Sequence, residues 1–261
     1  MNAEVVCTII KSRMLNRIGC LLFFLACVTC GFPQDATEIV KKADDLMQGV
    51  TSESEMAMTI VRPDWQRSVT FKSWGKGRNL SMTLITAPPK ESGQSFLKLG
   101  NDMWSWNPTI NRMIKLPPSM MSQGWMGSDY TNDDILKESS VVMDYTHAII
   151  GTEMVSGYSC YKIELIPKEN AAVVWGKIHL WISKDAYYEL KAVYFDEDGN
   201  RVKTHLLSEI KFMYDRKIPT CFEIIPEDKP KQKTIVKIRS AKFNIPIPDA
   251  FFSQQRMKNL K

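Results

Sequence analysis

The chain has very few of the residues that carry catalysis or hold metals. Only three histidines are present, His147, His179 and His205. They fall in separate segments, so neither a His-Glu-x-x-His pair nor another ligand spacing exists, and each is expected on the surface or in a cross-strand contact. Four of the six cysteines (Cys7, Cys20, Cys27, Cys30) precede residue 31. The remaining Cys160 and Cys221 make no Cys-x-x-Cys motif; in an oxidising compartment they are either one disulfide or two buried thiols. There is no Gly-x-Ser-x-Gly elbow, P-loop or dinucleotide fingerprint. Ser95-Phe96-Leu97-Lys98 and Ser208-Glu209-Ile210-Lys211 match Ser-x-x-Lys without the companion motifs of a penicillin-binding enzyme. Asp129, Asp133 and Asp134 lack the spacing of an EF-hand loop; Thr131 with Asp134 fits a helix N-cap with acids in the first turn. The sequence therefore points to no enzyme, metal or cofactor.

Charge of one sign is also scarce. The net charge is +5, and without residues 1–33, which hold Lys11, Arg13, Arg17 and Glu4, it falls to +3. That is too small and too scattered to argue for nucleic acid. Lys229, Lys231 and Lys233 alternate as one solvated strand face, a pattern that protects a sheet edge. With 44% hydrophobic and 24% charged residues, the chain has the composition of a folded protein.

Long hydrophobic runs are absent too. The uncharged stretch Ile18–Val28 after Arg17 covers eleven residues, short of the roughly 20 a transmembrane helix needs but right for a signal peptide. Small residues at Thr29 and Gly31 place a cleavage near Gly31, and Met14 is a credible start. The expectation is a secretory signal over 1–33, then a single exported domain over 34–261. Phe24-Leu25-Ala26-Cys27 approaches a lipobox, which would make Cys27 a lipid anchor; phenylalanine at its first position disfavours this.

What is present is periodicity. Ala36, Ile39, Val40, Ala43, Leu46 and Met47 mark an amphipathic helix over 35–48, stopped at Gly49. The period then becomes two. Met56, Met58 and Ile60, then Val69 and Phe71, then Leu80, Met82 and Leu84 alternate with largely polar neighbours, giving three successive strands. Short strands follow to residue 242, interrupted over Pro117–Ser140, with an Asp198-Gly199 hairpin turn and a closing helix capped by Asp249. Roughly ten strands joined by tight turns make a meandering, strongly curved antiparallel sheet, whose concave side is filled by its own side chains and helices or by a ligand. In the interruption, Met120, Met121, Trp125 and Met126 cluster on a Pro- and Gly-punctuated loop. Methionine suits irregular apolar surfaces, so this loop is either a flexible lid or a plug.

Several blocks carry a resemblance: Trp104-Ser105-Trp106-Asn107-Pro108, Arg112-Met113-Ile114-Lys115-Leu116-Pro117 and, most specific, Met126-Gly127-Ser128-Asp129-Tyr130-Thr131 with Asp134-Ile135. The opening Ala36–Asp44 and the closing Ile247–Phe252 fit the same pattern. Over essentially the whole chain beyond the leader, the sequence resembles the outer-membrane lipoprotein-sorting proteins, relatives of the periplasmic carrier LolA. The resemblance implies a mainly β half-barrel of about eleven strands with helices covering its concave face. It also implies a periplasmic, monomeric carrier of lipid or lipoprotein acyl chains, in transient membrane contact and partnered by an inner-membrane permease. Envelope-stress sensing on the same fold is the alternative. The expected cavity lining is Met58, Ile60, Val69, Phe71, Met82 and Leu84, with Trp104 and Trp106 nearby and Met120, Met121, Trp125 and Met126 as lid. Arg67, Arg78 and Arg112 are all candidates for the arginine that contacts cargo.

Overall fold

The structure is a computed structural model and describes residues 35–137, 140–171 and 173–260. The leader, with Cys27 and the cleavage region, lies outside the described residues.

Helix α1 (Ala36–Gln48) begins where the Asp35 carboxylate accepts the Thr37 backbone N–H and ends at Gly49, whose φ of 63° needs no Cβ. Its buried stripe is Ala36, Ile39, Val40 and Ala43, as the 3.6-residue spacing requires. Thirteen strands follow. They are β1 (Thr51–Val61), β2 (Gln66–Lys76), β3 (Leu80–Ala87), β4 (Ser95–Leu99), β5 (Asp102–Asn107) and β6 (Arg112–Lys115), then, after the interruption, β7 (Tyr145–Val155), β8 (Tyr158–Pro167), β9 (Lys177–Ser183), β10 (Glu189–Phe195), β11 (Arg201–Met213), β12 (Arg216–Pro226) and β13 (Lys233–Phe243). The order across the sheet is β6-β5-β4-β3-β2-β1-β13-β12-β11-β10-β9-β8-β7. It is one antiparallel sheet that does not close, and its strand count exceeds the eleven expected. The surplus comes from short strands: β4, β5 and β6 have five, six and four residues, and such pieces are hard to separate by alternation alone.

Two meanders are joined where β1 pairs with β13, Met58 opposite Val236 and Ile60 opposite Thr234. Lys233 thus sits on an interior strand, opposite Val61 and bonded to Glu223 at 2.8 Å. The edge role expected of that lysine series does not hold for it, because the first and last strands meet.

The interruption folds as a 3-10 turn (Pro118–Met120), a second (Trp125–Gly127) and helix α2 (Asn132–Lys137). Thr131 Oγ1 accepts the Asp134 N–H at 3.0 Å, and Asp134 Oδ2 accepts the Thr131 N–H at 2.7 Å. This reciprocal cap is the one the Thr-x-x-Asp spacing indicates. The C-terminal segment makes a 3-10 turn over Asp249–Phe251 and helix α3 (Gln254–Lys258), capped by Ser253 rather than Asp249. Ser253 supplies the side-chain oxygen that accepts the Arg256 N–H at 3.2 Å.

The core falls on both faces of the sheet. Ile163, Leu165, Ile178, Leu180 and Ile182 pack with the α1 stripe. Met58, Ile60, Val69, Phe71 and Ile85 pack with Trp125 and Val236. A third cluster unites Met82, Leu97 and Trp106 with Ile247, Phe252 and Met257 of the C-terminal segment. Cys160 and Cys221, on β8 and β12, are buried free thiols.

Candidate functional site

One face of the sheet lines a cavity of about 330 Å³, within the usual range for small-molecule sites. Alternation supplies its wall: Met56 and Met58 from β1, Phe71 and Ser73 from β2, Ser81 and Thr83 from β3. Across from them stand Ile178, Leu180 and Ile182 of β9, Leu207 of β11, Phe222 of β12 and Val236 of β13. Strands from both meanders reach one cavity, so the sheet curves around it. Val40, Ala43, Asp44 and Met47 of α1 and Trp125, Tyr130 and Ile135 of the interruption add to the lining.

The expected lining residues divide by face. Met58, Phe71 and Trp125 line the cavity. Ile60 and Val69 are fully buried in the same cluster. Met82, Trp104 and Trp106 lie in the third cluster, against the C-terminal segment, and Leu84 is buried on β3 opposite Lys72. The reason is register. Directly opposed residues of an antiparallel pair share a face; Phe71 opposes Ile85 and Trp74 opposes Met82. Ser73 and Thr83, opposed and 3.3 Å apart at their hydroxyls, therefore take the cavity side. On β3 both faces are covered, and small hydroxyl residues point where solvent-like character suggested the outside.

The residues expected to form a lid converge. Trp125 is 3% exposed and meets Phe71 and Phe96 edge to face, each with centroids 5.4 Å apart. Met121 and Met126 pack beside it. Met120 is half-buried and contributes its carbonyl, which accepts from Asn132 Nδ2 at 2.9 Å. The loop is clamped to the sheet by polar contacts. Arg62 donates to Asp129 at 3.1 Å and to the Gly127 carbonyl at 3.0 Å, and Arg67 donates to the Met126 carbonyl and to Glu91. Gly124 permits the tight approach inside the loop: a Cβ there would stand 2.5 Å from the Ser128 carbonyl oxygen.

Of the three arginines singled out, Arg67 holds the loop at Met126, Arg112 is exposed, and Arg78 lines the cavity. Arg78 bridges the β2–β3 turn to α1, reaching Asp44 at 2.5 Å and Asp45 at 2.9 Å. Burial pushes the Asp44 carboxyl up to about 6, outweighing the adjacent guanidinium.

A second polar group sits near α2. Asp134 pairs with Lys203, both nearly buried, and accepts from Trp175 Nε1 at 3.2 Å. Burial works against the Asp134 charge, but the Lys203 ammonium overcomes it and holds the carboxyl below its ordinary range. Lys203 lies 4.6 Å from the Trp175 ring centre and 5.0 Å from that of Tyr194. His205, expected at the surface or in a cross-strand contact, makes a cross-strand contact with Tyr194 of β10, ring centroids 4.5 Å apart, and is 8% exposed and lines the cavity. His179 also makes a cross-strand contact, with Glu164 at 3.1 Å, and His147 bonds the Val141 carbonyl at 2.7 Å. Sequence reasoning missed Asp44, Tyr130, the Ser73–Thr83 pair and His205. Only the β9 alternation Ile178-Leu180-Ile182 carried a visible signal for the opposite wall. Among the described residues no group of three His, Cys, Asp or Glu side chains is placed to hold a metal ion, and no helix is long and apolar enough to cross a membrane.

An open, curved antiparallel sheet around an apolar cavity defines the LolA-like class of fold, and solved structures match it. A LolA superfamily protein from Nitrosomonas europaea superposes with a TM-score of 0.73 at 23% identity, covering 85% of this chain and 99% of that one. A DUF1329 family protein from Desulfovibrio piger gives 0.78 at 22% identity, covering 85% and 97%. The domain of a putative outer membrane lipoprotein-sorting protein from Vibrio parahaemolyticus gives 0.74 at 18% identity, covering 85% and 98%. Residues 77–259 match the model of a family described as "Uncharacterized protein", and the chain belongs to that family. No curated protein matches it. The resemblance read from the motifs thus extends to the whole fold.

Proposed function

We propose that the protein is a non-enzymatic carrier that takes acyl chains of lipids or lipoproteins into the cavity and moves them through the periplasm toward the outer membrane. The observation that carries this reading is the cavity itself, walled by Met56, Met58, Phe71, Trp125 and Phe222 on a LolA-like sheet. The driving force is removal of methylenes from water, about 0.8 kcal/mol each, so part of one chain suffices for useful affinity. The methionine- and tryptophan-bearing lid excludes water from the bound chain, and release requires the lid to part or a partner to compete. An inner-membrane permease as donor or acceptor, and α1 with the lid as the cover of the concave face, belong to the same proposal.

The test is extraction of the natively purified protein followed by mass spectrometry of lipids. Co-purifying lipid is expected, and a Thr83→Phe variant, which puts a ring into the cavity, should carry less of it. A wild-type protein that neither brings lipid through purification nor takes it up from vesicles overturns the reading.

A further inference from the structure

Cavities built only for hydrocarbon have no use for an imidazole. His205 stands on β11 between Ala192 and Ile224 of the neighbouring strands and lines the cavity. Its ring lies against Tyr194, with centroids 4.5 Å apart, and against Tyr130 of the lid loop, at 5.4 Å. It makes no hydrogen bond to any described residue, and its Nε2 is buried without a partner. A neutral imidazole carries one donor and one acceptor, and an unmet buried polar atom is unfavourable unless something else meets it. Burial first, and the Lys203 charge second, hold the ring deprotonated, with its pKa down at about 3.

The surroundings select what can meet it. Asp133 and Asp134 also line this part of the cavity and are largely buried, so an anionic group placed here meets two carboxyls. Lys203 is engaged by Asp134 and covered by the Trp175 and Tyr194 rings; it does not offer itself to an anion. A cationic group would have to displace or neighbour that ammonium. An uncharged hydroxyl or ester carbonyl meets none of these penalties: a hydroxyl can donate to the bare ring nitrogen or accept from the N–H, and an ester carbonyl can accept from the N–H.

We propose that His205 is a cargo-recognition residue, selecting lipids that carry an uncharged hydrogen-bonding group, a hydroxyl or an ester, on an apolar body. Tyr130 belongs to the lid loop, so a ligand that engages His205 also touches the element that covers the cavity. This rests on the carrier reading above and adds to it a chemical class of cargo.

The experiment is displacement of an environment-sensitive fluorophore from the full-length purified protein by dodecanol, dodecane and dodecanoate. Wild type should bind dodecanol about tenfold more tightly than dodecane, the worth of one well-made hydrogen bond, and dodecanoate less tightly than dodecanol. In His205→Leu the preference for dodecanol over dodecane should shrink to about twofold or less; His205→Gln, which keeps a donor and an acceptor, should retain part of it. Circular dichroism checks that both variants fold, and should His205→Leu fail to do so, a His205→Gln protein with no preference for dodecanol overturns the proposal. So does a folded His205→Leu that keeps the wild-type preference, or a wild type that favours dodecanoate. If wild type binds dodecanol and dodecane equally, the recognition role alone falls; if it binds none of the three, the carrier reading falls with it.

Discussion

Asp129 and Thr234 exchange two hydrogen bonds across a sequence separation of 105 residues: the Asp129 backbone N–H donates to Thr234 Oγ1 at 2.9 Å, and that hydroxyl donates to Asp129 Oδ2 at 2.7 Å. Thr234 is fully buried, and Arg62 reaches the same carboxylate oxygen at 3.1 Å. One small side chain on β13 thereby holds the loop at Asp129 against the seam of the sheet. Thr234→Val keeps the shape and removes the hydroxyl, leaving the Asp129 N–H unmet. A loss of about 1–3 kcal/mol is expected in urea unfolding, with faster hydrogen exchange at residues 125–131 than elsewhere.

Trp125 is the apolar counterpart of that clamp. Truncation to alanine removes the contacts to Phe71 and Phe96 and leaves a void that the sheet cannot close, for a cost of ~3–5 kcal/mol. Denaturant titration gives the stability change. The accompanying gain of water in the cavity should weaken retention of bound lipid; unchanged retention in a folded Trp125→Ala protein would detach the lid from the carrier function.

Lys203 and Asp134 form a buried pair whose members are unequal to remove. Lys203→Met leaves Asp134 buried without its cation and should cost about 3–5 kcal/mol, while the double variant Lys203→Met with Asp134→Asn, which removes the charge and keeps an acceptor oxygen, should recover part of it. A double-mutant cycle in guanidinium measures the coupling; additive losses would count against a direct pair.

Acid should destabilise the protein through His205. Its folded pKa, about 3, lies below the ordinary value of 6.5, so the unfolded chain binds more protons between these limits. Stability is therefore fully present above about 6.5 and falls as pH drops toward 3. Asp44 acts in the opposite sense: its folded pKa of about 6 lies above 3.8, so its contribution improves as pH falls from 6 to 3.8. His205→Gln should flatten the loss between pH 6.5 and 3, read from urea midpoints across that range.

How much of this was legible depended on how many faces each element buries. Helix α1 has one buried stripe, and its limits, its Gly49 stop and its stripe all follow from spacing. The Thr131–Asp134 cap was equally local. Strands β1 and β2 bury Met58, Val69 and Phe71 as alternation indicates. On β3 the rule fails to say which apolar side faces the cavity, because Met82 and Ile85 lie on opposite faces and are both completely buried. That choice is made by the register with β2 and by the C-terminal segment some 160 residues later, where Ser95 Oγ donates to the Met257 carbonyl at 2.8 Å. His205 was unreadable for a similar reason: nothing within β11 reveals that Tyr194 and Tyr130 enclose its ring.

The seam between β1 and β13 has a consequence for the order in which this protein can be made. The first strand finds its second neighbour in β13, and the apolar back of β3, β4 and β5 packs against the C-terminal segment, with Ile247, Phe252 and Met257 buried there. A partly synthesised chain therefore exposes a row of unpaired backbone groups along β1 and a greasy patch behind β3 until its final segment emerges. The seam of the sheet therefore cannot close before β13 is available to β1.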